Sequence, residues 1–201
     1  VADEFVDWLR AHDRTPPTQM RLGWFPLGAD FRAPTSLAPS QQAQALVADQ
    51  TPFFLSVGTI EPRKAYPVAL AAFEKLWAQG DERIYVIVGR AGWNTTALQK
   101  LIKSHPEYGR KLYWFAHAND ADLRLFYQQA QALVFPSFAE GFGMPLVEAL
   151  YYGASVIASD IPVFREVGGE DVCYFSLLDA GSLQKQILAI GGIAKKHTRP
   201  D

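Results

Sequence analysis

A second cysteine is missing from this chain of 201 residues. Cys173 therefore has no internal disulfide partner, and a reducing compartment, the cytoplasm, is expected. No apolar run approaches the ~18 residues of a membrane-spanning helix, and no charged-then-apolar leader opens the chain. An excess of basic charge is also lacking: 19 Lys and Arg stand against 21 Asp and Glu, a net charge of -2. That leaves no field for nucleic acid and no polybasic patch for an anionic bilayer. Lys195 and Lys196 read as part of a solvated tail. His and Cys do not recur at ligand spacing, so no metal site is expected. G-x-x-x-x-G-K-[ST] is absent, which excludes a P-loop. No G-x-G-x-x-G follows a strand-like run, which counts against a dinucleotide dehydrogenase.

What is present is an ordinary globular composition, 49% hydrophobic and 20% charged, enough for a full core. Residues 1–50 differ from the rest. A short helix-like piece, 1–11, precedes a stretch broken by Pro16, Pro17, Pro26, Pro34 and Pro39. This region is read as a linker or the end of a preceding domain. From residue 51 to 192 apolar runs alternate with helical periodicity. Strands are expected at 53–57, 84–88, 112–115, 133–135, 155–158 and 172–175. Helices are expected over 68–77, with Val68, Leu70, Ala71, Phe73, Leu76 and Trp77 on its apolar face, and over 95–104 (capped by Asn94), 120–131, 145–152 and 181–190, with a turn at Pro162. Cys173, inside an apolar run, reads as a core residue, and Asp160 and Glu166 as turn and cap residues. Residues 193–201 form a tail. Strands apolar throughout and separated by helices predict an α/β fold, a Rossmann-like doubly wound parallel sheet with helices on both faces. Ligands bind such sheets at the carboxyl ends of the strands. The loops at Gly58, Gly89, 116–119 and 137–143 share that rim.

The densest of these loops reads Glu140-Gly141-Phe142-Gly143-Met144-Pro145-Leu146-Val147-Glu148. Gly141 and Gly143 let a backbone approach a ligand closely. Pro145 suits a first helical turn, and a helix N-terminus suits a phosphate. Glu140 and Glu148 are expected on the order of 10 Å apart, too far for the ~5 Å carboxylate pair of a retaining glycosidase and at the far edge of an inverting pair. The wider spacing fits the two ends of a nucleotide sugar, with hydroxyls at each end and phosphates between. Taken alone, the same spacing also fits two surface glutamates on a glycine-rich turn. Arg63 and Lys64, on the loop after the first strand, offer a planar fork and a point charge to a diphosphate, although two surface cations would look the same. His117 and Asn119 lie where a loop can meet a nucleobase. Trp93 either covers a base or packs, and packing is the simpler expectation.

With these residues in hand, the chain resembles the retaining glycosyltransferases of family 4, of GT-B fold. The likeness runs from about Trp24 to Ile190. It is carried by Phe25 through Asp30, Gly58 through Lys64, Val88-Gly89, Pro136 through Gly143, Pro145, Glu148-Ala149 and Ala158-Ser159-Asp160. The resemblance implies one half of a GT-B fold, the donor-binding domain, with an N-terminal domain missing except for its last helix. It implies that Arg63 and Lys64 hold the diphosphate and stabilise the leaving nucleotide, with Glu140 on the donor sugar as the third catalytic group. Gly58, Phe142, Gly143 and Met144 would face sugar and phosphate, Glu148 the ribose, and His117, Ala118 and Asn119 the base. The details around Gly92-Trp93, His105-Pro106-Glu107 and 160–166 look like members that build bacterial surface polysaccharide or lipopolysaccharide, several of them mannosyltransferases. The implied donor is GDP-mannose or a UDP-sugar, with no cofactor and no metal. The implied acceptor is a glycan or lipid-linked glycan held by the missing domain. The parent would be cytoplasmic, with room for a peripheral place at the inner face of the membrane. The fragment alone would transfer no sugar. Ala65, Ala116 and His117 depart from the residues common in the family. A GT-B epimerase or phosphorylase relative, and a non-catalytic binding or assembly module, are the alternatives.

Overall fold

The computed structural model describes residues 2–14, 21–23, 25 and 37–191. The junction residues 24 and 26–30 and the tail 193–201 singled out above lie outside the described residues. Two compact units are present, Val1–Asp30 and Phe31–Asp201. In the first, α1 (Ala2–Ala11) carries acidic residues in its first turn and Arg10 in its last, the charge order that a helix dipole favours.

The second unit holds a sheet of six parallel strands: β1 (Phe53–Val57), β2 (Ile84–Val88), β3 (Leu112–Phe115), β4 (Ala132–Phe135), β5 (Ser155–Ser159) and β6 (Val172–Phe175). Their spatial order is β3-β2-β1-β4-β5-β6. β2 and β4 are apolar and buried end to end because helices cover both faces. One face packs Leu55, Val86, Leu133, Phe135, Val156 and Ala158 under α2 (Gln41–Ala48), α5 (Asp120–Gln129), α6 (Met144–Tyr151) and α7 (Pro162–Gly168). The other packs Phe54, Tyr85, Ile87, Val134 and Ile157 under α3 (Tyr66–Trp77), α4 (Thr96–Lys103) and α8 (Ala180–Gly191). The doubly wound sheet expected from the sequence is thus the observed one. The chain runs outward from β1 to β3 and then returns to place β4 on the other side of β1. That reversal opens a crevice at the carboxyl ends of β1 and β4, the ligand position of such sheets.

Several expectations need correction. Residues up to 50 read from sequence as a linker or the end of a preceding domain, yet α2 is part of the core, with Ala43 wholly buried. The cause is Asp122, itself buried. Its Oδ1 accepts the Ser40 N–H at 2.6 Å, which staples the start of α2 to the start of α5. A helix, α7, replaces the turn at Pro162, which fills its first position. Asp160 does not cap it but forms a two-pronged pair with Arg165, at 2.7 and 2.8 Å. Cys173 is exposed near the start of β6, an edge strand, although Phe175 two residues on is buried. Asn94 is not the cap of α4: it takes a positive φ of 52°, and Thr95 stands at the cap, its hydroxyl donating to the Gly92 carbonyl.

Candidate functional site

The crevice is built from two loops. After β1 the chain passes Gly58 and makes a short 3-10 helix, Pro62–Lys64. After β4 it runs through Pro136 to Gly143 and into α6. The Phe138 N–H donates to the Arg63 carbonyl at 2.9 Å, so the loops are stitched to each other.

That stitch sets the side chains. Lys64 turns inward, with Nζ 2.6 Å from Glu140 Oε1 and both side chains 8% exposed. It also lies over the Phe135 ring, 4.9 Å from its centre. Gly58 makes room for it: its φ is 140°, and a Cβ there would stand 3.1 Å from Lys64 Nζ. Arg63 turns outward, 40% exposed. Its Nη1 donates to Glu140 Oε2 at 2.7 Å and its Nε to Glu61 Oε2 at 2.9 Å. Glu140 therefore joins both cations. Burial alone would raise its pKa, but the bonds from Lys64 and Arg63 outweigh burial and hold the carboxyl below its ordinary value. Burial likewise opposes the charge of Arg63, and the Glu140 and Glu61 carboxylates outweigh it and hold that pKa up.

The two glycines of the turn are not equivalent. Gly143 has φ 94°, and a Cβ on it would lie 3.0 Å from the Phe164 ring. It caps α6, with Pro145 in the first turn behind it. Gly141 has nothing within 4 Å of a Cβ position. Its place in the sequence is explained by neither strain nor crowding. Phe142 and Met144 flank Gly143 and are half-buried.

Glu148 lies on α6 and is half-buried. Its Oε2 accepts a 2.6 Å hydrogen bond from the Tyr127 phenol on α5. Next to the rim end of β3, His117 is exposed and Ala118 half-buried. They border a cavity of about 460 Å³, which is also lined by Lys103, Tyr108, Trp114 and Asp122. Asn119 serves the backbone: its Oδ1 accepts the Asp122 N–H and its own N–H donates to Asp122, a capping box that starts α5. Trp93, expected to pack, is 65% exposed. Among the described residues no three His, Cys, Asp or Glu gather as a metal site.

Arg63, Lys64 and Glu140 are thus brought together in one bonded cluster, with Gly58 beneath it and Gly143 and Met144 opening the adjoining helix. His117 and Ala118 border a separate cavity. Sequence reasoning missed Glu61, whose partner lies two residues on, and Tyr127, whose helical spacing gave it only the look of a core aromatic. It also missed Tyr66, a buried residue whose phenol donates to the Gly58 carbonyl at 2.6 Å and fixes the β1 loop.

Residues 39–189 match the family described as "Glycosyl transferases group 1". Over 181 residues the chain is 40% identical to the serotype-specific mannosyltransferase WbdA of Escherichia coli, covering 88% of this chain and 22% of that protein. It is 33% identical to the O-antigen chain mannosyltransferase B of Escherichia coli, over 69% of this chain and 36% of that one. The chain thus spans about a fifth to a third of the length of these relatives. In structure it is similar to a sucrose-phosphate synthase from Thermosynechococcus elongatus, with TM-score 0.67 at 22% identity over 94% of this chain and 47% of that one. A trehalose-6-phosphate synthase, OtsA, gives 0.64 at 12% identity, over 79% and 40%. On the match of residues 39–189, this chain belongs to the group 1 glycosyltransferases.

Proposed function

We propose that this chain is the donor-binding half of a retaining, metal-independent glycosyltransferase, which transfers a hexose, mannose in the first instance, in the synthesis of a bacterial surface polysaccharide. The observation that carries this reading is the Arg63-Lys64-Glu140 cluster, at the crevice where the strand order reverses. Arg63, the more exposed cation, receives the diphosphate of GDP-mannose or a UDP-sugar. Lys64 and Glu140 hold the electrostatic frame around it. Catalysis is then positioning plus stabilisation of the departing nucleoside diphosphate by fixed positive charge, with Glu140 on the sugar hydroxyls. Phe142, Gly143 and Met144 line the path between sugar and phosphate. Glu148 takes the ribose, and the cavity beside His117 and Ala118 takes the base. The names of the mannosyltransferase relatives support the mannosyl assignment. The acceptor, a glycan or lipid-linked glycan, falls to another part of the longer protein, for which a cytoplasmic, membrane-peripheral place is proposed. Among the described residues no helix is long and apolar enough to cross a membrane.

Isothermal titration with GDP, UDP and ADP tests the reading. One of them is expected to bind, with an affinity unchanged by a chelator and weakened by Arg63→Ala by ~1.5–3 kcal/mol, the range for charge-assisted hydrogen bonds. Binding of none, or binding that Arg63→Ala leaves intact, would sink it.

A further inference from the structure

We infer that Tyr127 is a positioning residue for the nucleotide's ribose: its phenol fixes Glu148 Oε2 and leaves Oε1 to accept the paired hydroxyls. The inference rests on the reading above that Glu148 meets the ribose.

Tyr127 is 1% exposed and sits in the core face that also holds Leu146 and Ala149 of α6. Its ring stacks on Tyr152 at 5.8 Å, with an interplanar angle of 16°. A buried phenol must give its proton to an acceptor. Tyr127 gives it to a carboxylate at 2.6 Å, the short length of a charge-assisted bond. Among the described residues this is the hydrogen bond the structure gives the Glu148 side chain. A glutamate on a helix otherwise samples several rotamers, and each must be lost when a ligand binds. The phenol removes that loss beforehand. It does so from one side, so one oxygen is anchored and the other keeps its acceptor capacity. Burial, followed by the Glu148 charge, pushes the Tyr127 pKa well above the ordinary tyrosine value, which keeps the phenol a donor across neutral pH.

Position along α5 adds a second link. The helix starts at Asn119, in the capping box beside the His117–Ala118 loop, and Tyr127 lies two turns further on. One rigid helix therefore carries both the edge of the base cavity and the residue that sets the ribose carboxylate.

A purely structural Tyr127 would serve every ligand alike, so the test compares two ligands. The nucleoside diphosphate that binds best of GDP, UDP and ADP is titrated beside its 2′,3′-dideoxy form. The chains are wild type, Tyr127→Phe, Glu148→Gln and the double variant, with urea midpoints as a fold control. Tyr127→Phe keeps the ring in the core. It is expected to lower affinity for the ribonucleotide about threefold to tenfold, the size of one hydrogen bond, to leave the dideoxy form within about twofold, and to add nothing in the Glu148→Gln background. Equal loss on both ligands, no loss, or additive losses would overturn the inference while leaving the donor reading in place. A wild type that does not distinguish the two ligands overturns the ribose assignment and the inference together. A wild type that binds no nucleotide overturns the donor reading itself.

Discussion

At the scale of the residue, the decisive feature is that Glu140 does not stand alone at the end of a turn but is bonded to two cations. Lys64 is buried, and among the described residues the carboxylate that matches its charge is Glu140, at 2.6 Å. Removing one partner of a buried pair costs ~3–5 kcal/mol, because the other charge is stranded. Glu140→Ala is therefore expected to lower unfolding free energy in urea by about that amount, and Lys64→Met in the same chain to recover part of it. A loss under ~1 kcal/mol would show that water reaches Lys64. Binding follows from the same geometry. Glu140 also holds Arg63, so on the proposed reading a diphosphate would compete with it for the guanidinium. Glu140→Gln keeps the shape and drops the charge. It should tighten the bare nucleoside diphosphate about threefold to tenfold and weaken the nucleotide sugar, whose hydroxyls lose an anionic acceptor. Titrating the variant with both ligands checks this, and equal weakening of the two would contradict it. From sequence alone Glu140→Gln would be expected to leave the bare nucleotide untouched. The paired cations, invisible until the β1 and β4 loops are side by side, change that expectation.

At the scale of the element, the rim is fixed by glycines that do different work. Gly89, at the end of β2, has φ 152°, and a Cβ on it would fall 2.0 Å from the Gly58 carbonyl oxygen. Gly89→Ala must push the β1 and β2 loops apart and is expected to cost ~2–4 kcal/mol, combining backbone strain with overpacking. Gly141→Ala meets nothing and should leave the urea midpoint unchanged, so any loss of donor affinity in that variant reports a ligand approaching the backbone. Equal midpoints for the two variants would remove the distinction. The contrast shows what the sequence could convey. All six strands were legible, because each is a run of four or five mostly apolar residues between turn signals, and a run of that kind has few alternatives to a buried strand. So was the order of loop, glycine and Pro145 before α6. The 41–48 helix was not, since its eight residues bury only Ala43 and Leu46, and prolines nearby masked the period. Its docking depends on Asp122, 82 positions from Ser40. Nor was α7, seven residues long, where Pro162 serves equally as a turn or a first helical residue. Of the site, residue types and loops could be read. The partners Glu61, Tyr66 and Tyr127 could not, because each is defined by a neighbour that only the fold supplies.

At the scale of the whole molecule, the titrating groups predict a stability profile with two unequal limbs. Asp160 beside Arg165, Asp179 at the Ser182 and Gly181 amides, Glu82 beside Lys111, and Glu140 all have pKa values lowered in the fold. A carboxyl lowered by folding stabilises the native state above its ordinary pKa of about 4, and that contribution is lost as pH falls through the lower, folded value. Three of these groups are exposed and screened by water, so each contributes little, and Glu140 carries most of the acid limb. The alkaline limb has another origin. Tyr66, Tyr85 and Tyr127 are buried, and burial raises all three pKa values. Their native forms stay protonated where an unfolded tyrosine, with a pKa of about 10, has ionised. Stability is therefore complete below about pH 10 and falls as pH climbs toward the folded values, with a slope approaching three protons where the three act together. The urea midpoint is expected to be flat between about pH 5 and 10, to decline on the acid side in wild type and less so in Glu140→Gln, and to fall steeply above pH 10. Phenolate absorbance provides the direct check. Of the eight tyrosines, three should ionise only as the chain unfolds. A single smooth titration of all eight, complete while the native circular dichroism persists, would mean that the core beneath the rim admits water, and the argument that Tyr127 is held as a permanent donor to Glu148 would lose its footing.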